Sequence, residues 1–234
     1  MKNKSFKNNL SVIILCGGMG KRLYPITKLK PKPLVKINKK EMLTYIIEHL
    51  KSYNLEDIVL ATGYKHNSFI KFLKKNKDLK KVRAINTGKN SDILKRIIKS
   101  SKETKKYILV CYGDTLADVD IDSLIVFFKK NLDKIILSSY NLKSQFGLMK
   151  IGKKGKVLSF EEKPNLGLYF NIGFFLFKKE RIQFFNKFNT WKNFLENSKS
   201  KIFLRSFIHK GKHITVNTIH ELEEAEKNLK LFIG

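Results

Sequence analysis

Residues 10–34, LSVIILCGGMGKRLYPITKLKPKPL, decide how this chain is read. Leu10 to Leu15 is short, β-branched and free of charge, the pattern of a buried strand. Glycines follow at 17, 18 and 20, and then come Lys21, Arg22 and Lys32. Without a Cβ, glycine lets backbone N–H groups close on a ligand and reach positive φ. Successive N–H groups in such a turn form an anion-binding concavity, to which the cations add donors. The stretch reads as a strand delivering a loop built for a polyphosphate.

Two common phosphate motifs do not fit. A P-loop needs a glycine five residues before its Gly-Lys pair and Ser or Thr after it. Here Leu15 precedes Gly20-Lys21, and Arg22 follows. A dinucleotide fingerprint needs a third glycine where Leu23 stands. The plain alternative is a glycine turn with solvated lysines. Against it, the spacing G-G-x-G-x-R-L-x-P-x-T-x-x-x-P-K-P-L, filled from Gly17 to Leu34, closely resembles the signature of the sugar-1-phosphate nucleotidyltransferases.

The 234 residues fit one large domain with a sizeable core, and 42% hydrophobic with 29% charged residues is globular. The net charge of +28 comes from 43 Lys and only 5 Arg against 20 acids. That bias, with abundant Asn, Ile and Phe, points to an AT-rich coding sequence more than to selection for nucleic acid, and no specific nucleic-acid partner is expected. Cys16 and Cys111 each end an apolar run and lack CxxC spacing, which reads as two buried thiols of a cytosolic enzyme. No apolar run approaches the ~18 residues of a membrane span. The basic start before SVIILC lacks the roughly 7–15 apolar residues of a signal peptide. The expectation is a cytoplasmic chain with no membrane partner.

Residues 1–9 read as a flexible basic arm and residues 10–234 as a single domain. Helices are expected from Glu41 to Tyr53, Ser68 to Lys75, through Ile93–Ile98 and through Leu124–Phe128. Strands are expected at 57–62, 82–85, 107–112, 135–139 and 169–177. A hairpin is expected about Lys153-Lys154-Gly155. The remainder reads as a helical cap, a short strand at His213 to Val216 and a final helix from His220 to Leu231. Alternating strands and helices argue an α/β layer fold whose ligands collect at strand carboxyl ends, where Gly17–Gly20 and Asp114 both sit.

Asp114, just past the apolar run Tyr107–Tyr112, is a candidate Mg²⁺ ligand, since that ion takes one or two carboxylates plus substrate phosphates. A turn or cap Asp is the bland alternative. The segment Tyr112-Gly-Asp-Thr-Leu-Ala-Asp-Val-Asp-Ile121 resembles the metal-binding segment of the same family, most like its glucose-1-phosphate cytidylyltransferase branch. Thr87-Gly88, followed by Lys95-Arg96, resembles that branch's base loop, with Asp92-Ile93 where paired glycines are usual. Glu162-Lys163-Pro164, Asn171 with Gly173, and Phe146-Gly147 resemble its sugar-phosphate elements. Val216-Asn217-Thr218 puts Asn where the family usually has a second metal-binding Asp. The five histidines show no metal spacing, and the Phe pairs read as core.

The resemblance implies a three-layer α/β/α, Rossmann-like nucleotidyltransferase fold with a mostly parallel mixed sheet. It implies transfer of NMP from an NTP, CTP favoured, to a sugar 1-phosphate. Leu15, Gly17, Gly18, Gly20, Arg22, Lys32, Thr87, Gly88 and Asp114 would bind the nucleotide. Gly147, Glu162, Lys163, Asn171 and Gly173 would bind the sugar phosphate, and Asp114 with Asn217 would hold Mg²⁺. Arg22, Lys32, Asp114 and Lys163 would carry the catalysis. Another NTP, dTTP or GTP, or a non-sugar acceptor stays open, as does a homo-oligomer. The rivals from other classes are a catalytically silent nucleotide-sugar-binding relative, motivated by Asn217, and a basic nucleic-acid binder, motivated by a pI of about 10.0.

Overall fold

The computed structural model describes residues 3–197 and 201–229. A helical turn, α1 (Lys4–Asn8), leads into β1 (Leu10–Leu15), and the glycine loop runs on to α2 (Ile26–Leu29). The small hairpin β2 (Lys36–Ile37) and β3 (Lys40–Glu41) opens α3 (Met42–Ser52). Strands and helices then alternate through β4 (Ile58–Thr62), α4 (His66–Lys75), β5 (Val82–Asn86), α5 (Ile93–Ser101) and β6 (Tyr107–Tyr112). Next come β7 (Thr115–Ala117), α6 (Ile121–Lys129) and β8 (Ile135–Lys143). The hairpin of β9 (Leu148–Ile151) and β10 (Val157–Glu161) precedes the long β11 (Asn165–Lys178). Short helices α7 (Ile182–Phe185) and α8 (Trp191–Glu196), strands β12 (Leu204–Ile208) and β13 (His213–Thr215), and α9 (Ile219–Asn228) complete the described chain.

The main sheet has seven strands in the order β12-β8-β11-β6-β1-β4-β5, and β11 alone runs against the others. Its residues alternate strictly between two cores, the period-2 signature of a sheet covered on both faces. Val12, Ile14, Leu60, Leu109, Phe174 and Leu176 face one core, with α3 and α6 packed on it through Ile46, Ile47, Leu124 and Phe128. Ile13, Val59, Val110, Phe175 and Phe177 face the other, closed by Leu94 and Ile97 of α5 and by Phe185, Trp191 and Phe194. Helices on both faces make the expected three-layer α/β/α arrangement. Cys16 and Cys111 are buried free thiols.

Topology places the site. The chain moves from β1 outward through β4 and β5, then crosses back to lay β6 on the other flank of β1. Strand order reverses there, so the loops leaving β1 and β6 open side by side at the carboxyl edge, where open α/β sheets bind ligands. Asp114 is thereby carried next to the glycine loop, and Gly113 N donates to Leu15 O at 3.1 Å. Outside this sheet, β13 pairs antiparallel with β7, Thr215 opposite Thr115, which returns Asn217 to the same corner.

Two expectations change. Lys4–Asn8 of the expected loose arm is helical, because Phe6 is 8% exposed and stacks on Tyr107 with centroids 4.2 Å apart. The C-terminal cap also contains β12, an edge strand parallel to β8; its half-exposed, mixed residues hid it from the hydrophobic pattern. The hairpin of β9 and β10 stands out from the body with Met149, Ile151, Leu158 and Phe160 all exposed. The expected end of the last helix at Leu231 lies outside the described residues. Among the described residues no helix is long and apolar enough to cross a membrane.

His213 starts the strand that returns Asn217, its ring 5.2 Å from Tyr140 and 5.3 Å from Phe170. Burial, with His209 nearby as the second cause, drives its pKa down to about 4. The unfolded imidazole titrates at about 6.5, so in between the unfolded chain binds more protons and stability rises with pH. Unfolding free energy is expected to fall by on the order of 1 kcal/mol from about pH 7 to about pH 5.5 through this group. Urea titrations across that range check it, and His213→Phe should flatten the slope; an unaltered slope in the variant refutes the assignment.

Candidate active site

A cavity of about 310 Å³ opens at the carboxyl ends of β1 and β6. It is lined by Leu15, Cys16, Gly18, Gly20, Lys21 and Arg22 from the first loop, by Lys32 and Pro33, and by Asp114 and Asn217. Three cations face one carboxylate there, an excess of positive charge suited to an anionic ligand.

Local chemistry fixes each group. Lys32 lies between Pro31 and Pro33, whose fixed φ angles stiffen the turn, and Leu34 N donates to Pro31 O at 2.9 Å. Its side chain is only 8% exposed, against 37% for Asp114. Lys32 Nζ donates to Asp114 Oδ2 at 2.6 Å and to Asn217 Oδ1 at 3.0 Å. Arg22 Nη2 donates to the same Asn217 oxygen at 2.9 Å. Asn217 is held from behind by α9, where Glu221 accepts from Asn217 N and Thr218 closes a capping box. Gly20 takes φ +61°, and a Cβ there would sit 3.1 Å from Lys32 Cβ. That glycine is needed for both its backbone and its neighbour.

Gly17 is glycine for another reason than the one expected. Its carbonyl accepts from Arg96 Nη2 at 3.0 Å and from Tyr64 N at 3.1 Å, and a Cβ would lie 1.8 Å from Arg96 Nη1. The carbonyl and Cα of Gly17 therefore turn toward the protein, and Gly18 and Gly20 line the cavity. Thr87 is likewise fully buried, its hydroxyl donating to Thr62 O at 2.6 Å and accepting from Arg96 Nη1 at 2.7 Å. Its side chain backs the loop, and Gly88, with φ +99°, is the exit. The contacts of Arg96 are not visible in the sequence, where it only follows the Thr87-Gly88 segment. Its signal was a rare arginine on the apolar face of α5, between Leu94 and Ile97 in a chain that otherwise uses lysine.

Among the residues expected to bind the sugar phosphate, Asn171 Oδ1 accepts from Gly173 N at 2.8 Å, and Asn171 Nδ2 reaches Tyr112 Oη at 3.4 Å. Gly173 has φ +82°, and a Cβ there would meet the Tyr112 ring at 2.3 Å, so this glycine seats the tyrosine two residues before Asp114. Burial raises the Tyr112 phenol to about 12. Glu162 lies against Gly147, whose added Cβ would come 2.8 Å from its Oε2. Lys163, with φ +45°, is on the exposed corner after β10. Gly147, Glu162 and Lys163 lie together outside the lining of the 310 Å³ cavity.

The family model described as Nucleotidyl transferase matches residues 11–220. The D-glycero-alpha-D-manno-heptose 1-phosphate guanylyltransferase of Campylobacter jejuni is 32% identical over 216 residues, 85% of this chain and 90% of that protein. The glucose-1-phosphate cytidylyltransferase of Salmonella typhimurium is 30% identical over 209 residues, 78% of this chain and 80% of that one. The chain spans 36% of the length of the bifunctional protein GlmU of Methanococcus maripaludis, at 32% identity over 158 residues. The crystal structure of HddC from Yersinia pseudotuberculosis superposes with a TM-score of 0.70 at 24% identity, covering 94% of this chain and 99% of that one. With a match that runs from before the glycine loop to beyond Asn217, this chain belongs to the nucleotidyl transferase family.

Proposed function

We propose that the chain transfers a nucleoside monophosphate from an NTP to a sugar 1-phosphate, releasing pyrophosphate. The observation that carries the reading is the convergence of Lys32, Arg22, Asp114 and Asn217 beside the glycine loop. CTP is the first choice of nucleotide, because the Tyr112–Ile121 and Thr87-Gly88 segments resemble the cytidylyltransferase branch. GTP is the second, favoured by the guanylyltransferase relative, which covers more of this chain than the cytidylyltransferase does. A pyrophosphate-release screen crossing four NTPs with a panel of phosphorylated acceptors tests both. Nucleotide binding without pyrophosphate from any pair would favour a catalytically silent binding protein.

In this reading an oxygen of the acceptor phosphate attacks the α-phosphorus in line. The new P–O bond forms as the bond to the β-phosphate oxygen breaks, and pyrophosphate leaves with that electron pair. The nucleophile is already anionic, so no general base is required. Catalysis then rests on positioning and charge neutralisation. Gly18 and Gly20 offer backbone donors to the triphosphate, Arg22 faces the leaving pyrophosphate, Lys32 neutralises the α-phosphate and Lys163 holds the acceptor phosphate.

The oxygens of Asp114 and Asn217 already share one cation, Lys32 Nζ. One carboxylate and one amide carbonyl are hard donors that fit Mg²⁺ if phosphates and water complete its shell. Among the described residues no group of three or more His, Cys, Asp or Glu could hold a metal by itself. When bound, Mg²⁺ would offset charge on the phosphates.

Lys32→Ala should keep the fold, since Asp114 stays open to water, and lower turnover by about two to four orders of magnitude. Turnover at saturating substrates reads this, and a wild-type value removes Lys32 from the chemistry. Lys163→Ala should raise KM for the acceptor far more than KM for the nucleotide; an effect confined to the nucleotide would reverse its assignment. Asn217→Asp adds a charge beside Asp114, so it should lower the Mg²⁺ concentration for half-maximal rate and tighten Mg²⁺ binding by calorimetry. An unchanged Mg²⁺ dependence would mean that Asn217 is not at the metal.

A further inference from the structure

We infer that Arg96 is the positioning residue of the nucleotide site, a buried fork that sets the triphosphate loop and the base loop in one register. The inference rests on the nucleotide-binding reading given above and adds to it a residue that touches no substrate.

Arg96 is 5% exposed. Its Nη1 donates to Thr62 O at 3.2 Å and to Thr87 Oγ1 at 2.7 Å. Its Nη2 donates to Gly17 O at 3.0 Å and to Lys89 O at 3.2 Å. These four acceptors lie at the carboxyl ends of β1, β4 and β5, three neighbouring parallel strands. All are neutral. The carboxylate of Asp92, on the same helix, is engaged in capping, accepting from Leu94 N at 2.9 Å and Trp191 N at 2.8 Å.

The surrounding backbone is shaped to admit the guanidinium. A Cβ on Gly17 would lie 1.8 Å from Nη1, and one on Gly63 would lie 2.6 Å from Nη1 and 2.5 Å from Gly88 O. The fork also aims a donor. With Gly17 O held by Arg96 and by Tyr64 N, the planar trans peptide puts Gly18 N–H on the opposite side. A Cβ on Gly18 meets nothing within 4 Å, and Gly18 lines the cavity. On its other arm, Arg96 holds Thr87 and Lys89, which flank Gly88 in the loop expected to meet the base. A lysine donates from a single compact nitrogen and cannot span the acceptors that arginine's rigid fork reaches from two.

Arg96→Lys tests this with the full chain. The expected result is a rise of about tenfold or more in KM for the nucleotide, the loss of one or two charge-assisted hydrogen bonds. The acceptor KM should stay unchanged, and kcat/KM for the preferred and next-best NTP should move closer together. Thr87→Val keeps the shape, removes one acceptor of the fork and should give the same split at smaller size; it decides the matter if Arg96→Lys does not fold. A merely structural arginine would lower the melting temperature and leave both KM values and the base preference as they were, which overturns the inference. Equal rises in both KM values overturn it too. Failure of the wild-type chain to bind any NTP would instead reject the nucleotide reading itself, an outcome distinct from an active wild type with an unaffected variant.

Discussion

Parallel pairing of β1 with β6 runs unbroken from Leu10 opposite Tyr107 to Leu15 opposite Tyr112. Because the two strands end level, the glycine loop and the Asp114 turn leave the sheet as neighbours. The strands are central and covered on both faces, so their register is fixed by burial: a slip by one residue would turn Ile13 and Val110 into the wrong core. Site geometry is thus inherited from sheet packing. Lys32 and Asn217, from distant parts of the chain, need only reach a point the sheet has already defined.

Asn217 is reached by a second chain of dependence. Its strand pairs with β7, which directly follows Asp114, and its helix caps it through Glu221 and Thr218. The carboxylate and the amide are therefore kept in step by three antiparallel residue pairs between strands far apart in sequence. Their separation does not depend on the exposed half of the molecule, where Lys163 sits at the end of a hairpin with few buried residues. The cavity at the ends of β1 and β6 stands on the core, whereas Glu162 and Lys163 stand on an exposed hairpin.

What the sequence made legible follows from where the information is local. Strands buried on both faces are unbroken apolar runs, so Leu10–Leu15 and Tyr107–Tyr112 declare themselves. The edge strand Leu204–Ile208 does not, since half its side chains meet water and its mixed composition resembles a loop. The helical turn at Lys4–Asn8 depends on one phenylalanine finding Tyr107 a hundred residues away. Gly18, Gly20, Lys32 and Asp114 sit in short contiguous motifs and could be named in advance. Arg96 could not be given a role, because its acceptors at 17, 62, 87 and 89 converge only once three strands are laid side by side. For the same reason the bonds from that arginine to the Gly17 carbonyl and the Thr87 hydroxyl are not legible in the sequence.

Gly173 and Tyr112 carry a consequence for how this chain can change. The tyrosine ring fills the space that any side chain at 173 would take, and the backbone there sits at φ +82°. A substitution at 173 is blocked while the ring is present, whereas a smaller residue at 112 is sterically open at any time. Even then the Cβ that any residue but glycine keeps at 112 would lie 2.8 Å from a Cβ at 173, so drift at 112 leaves 173 locked as glycine by its neighbour and by its left-handed backbone.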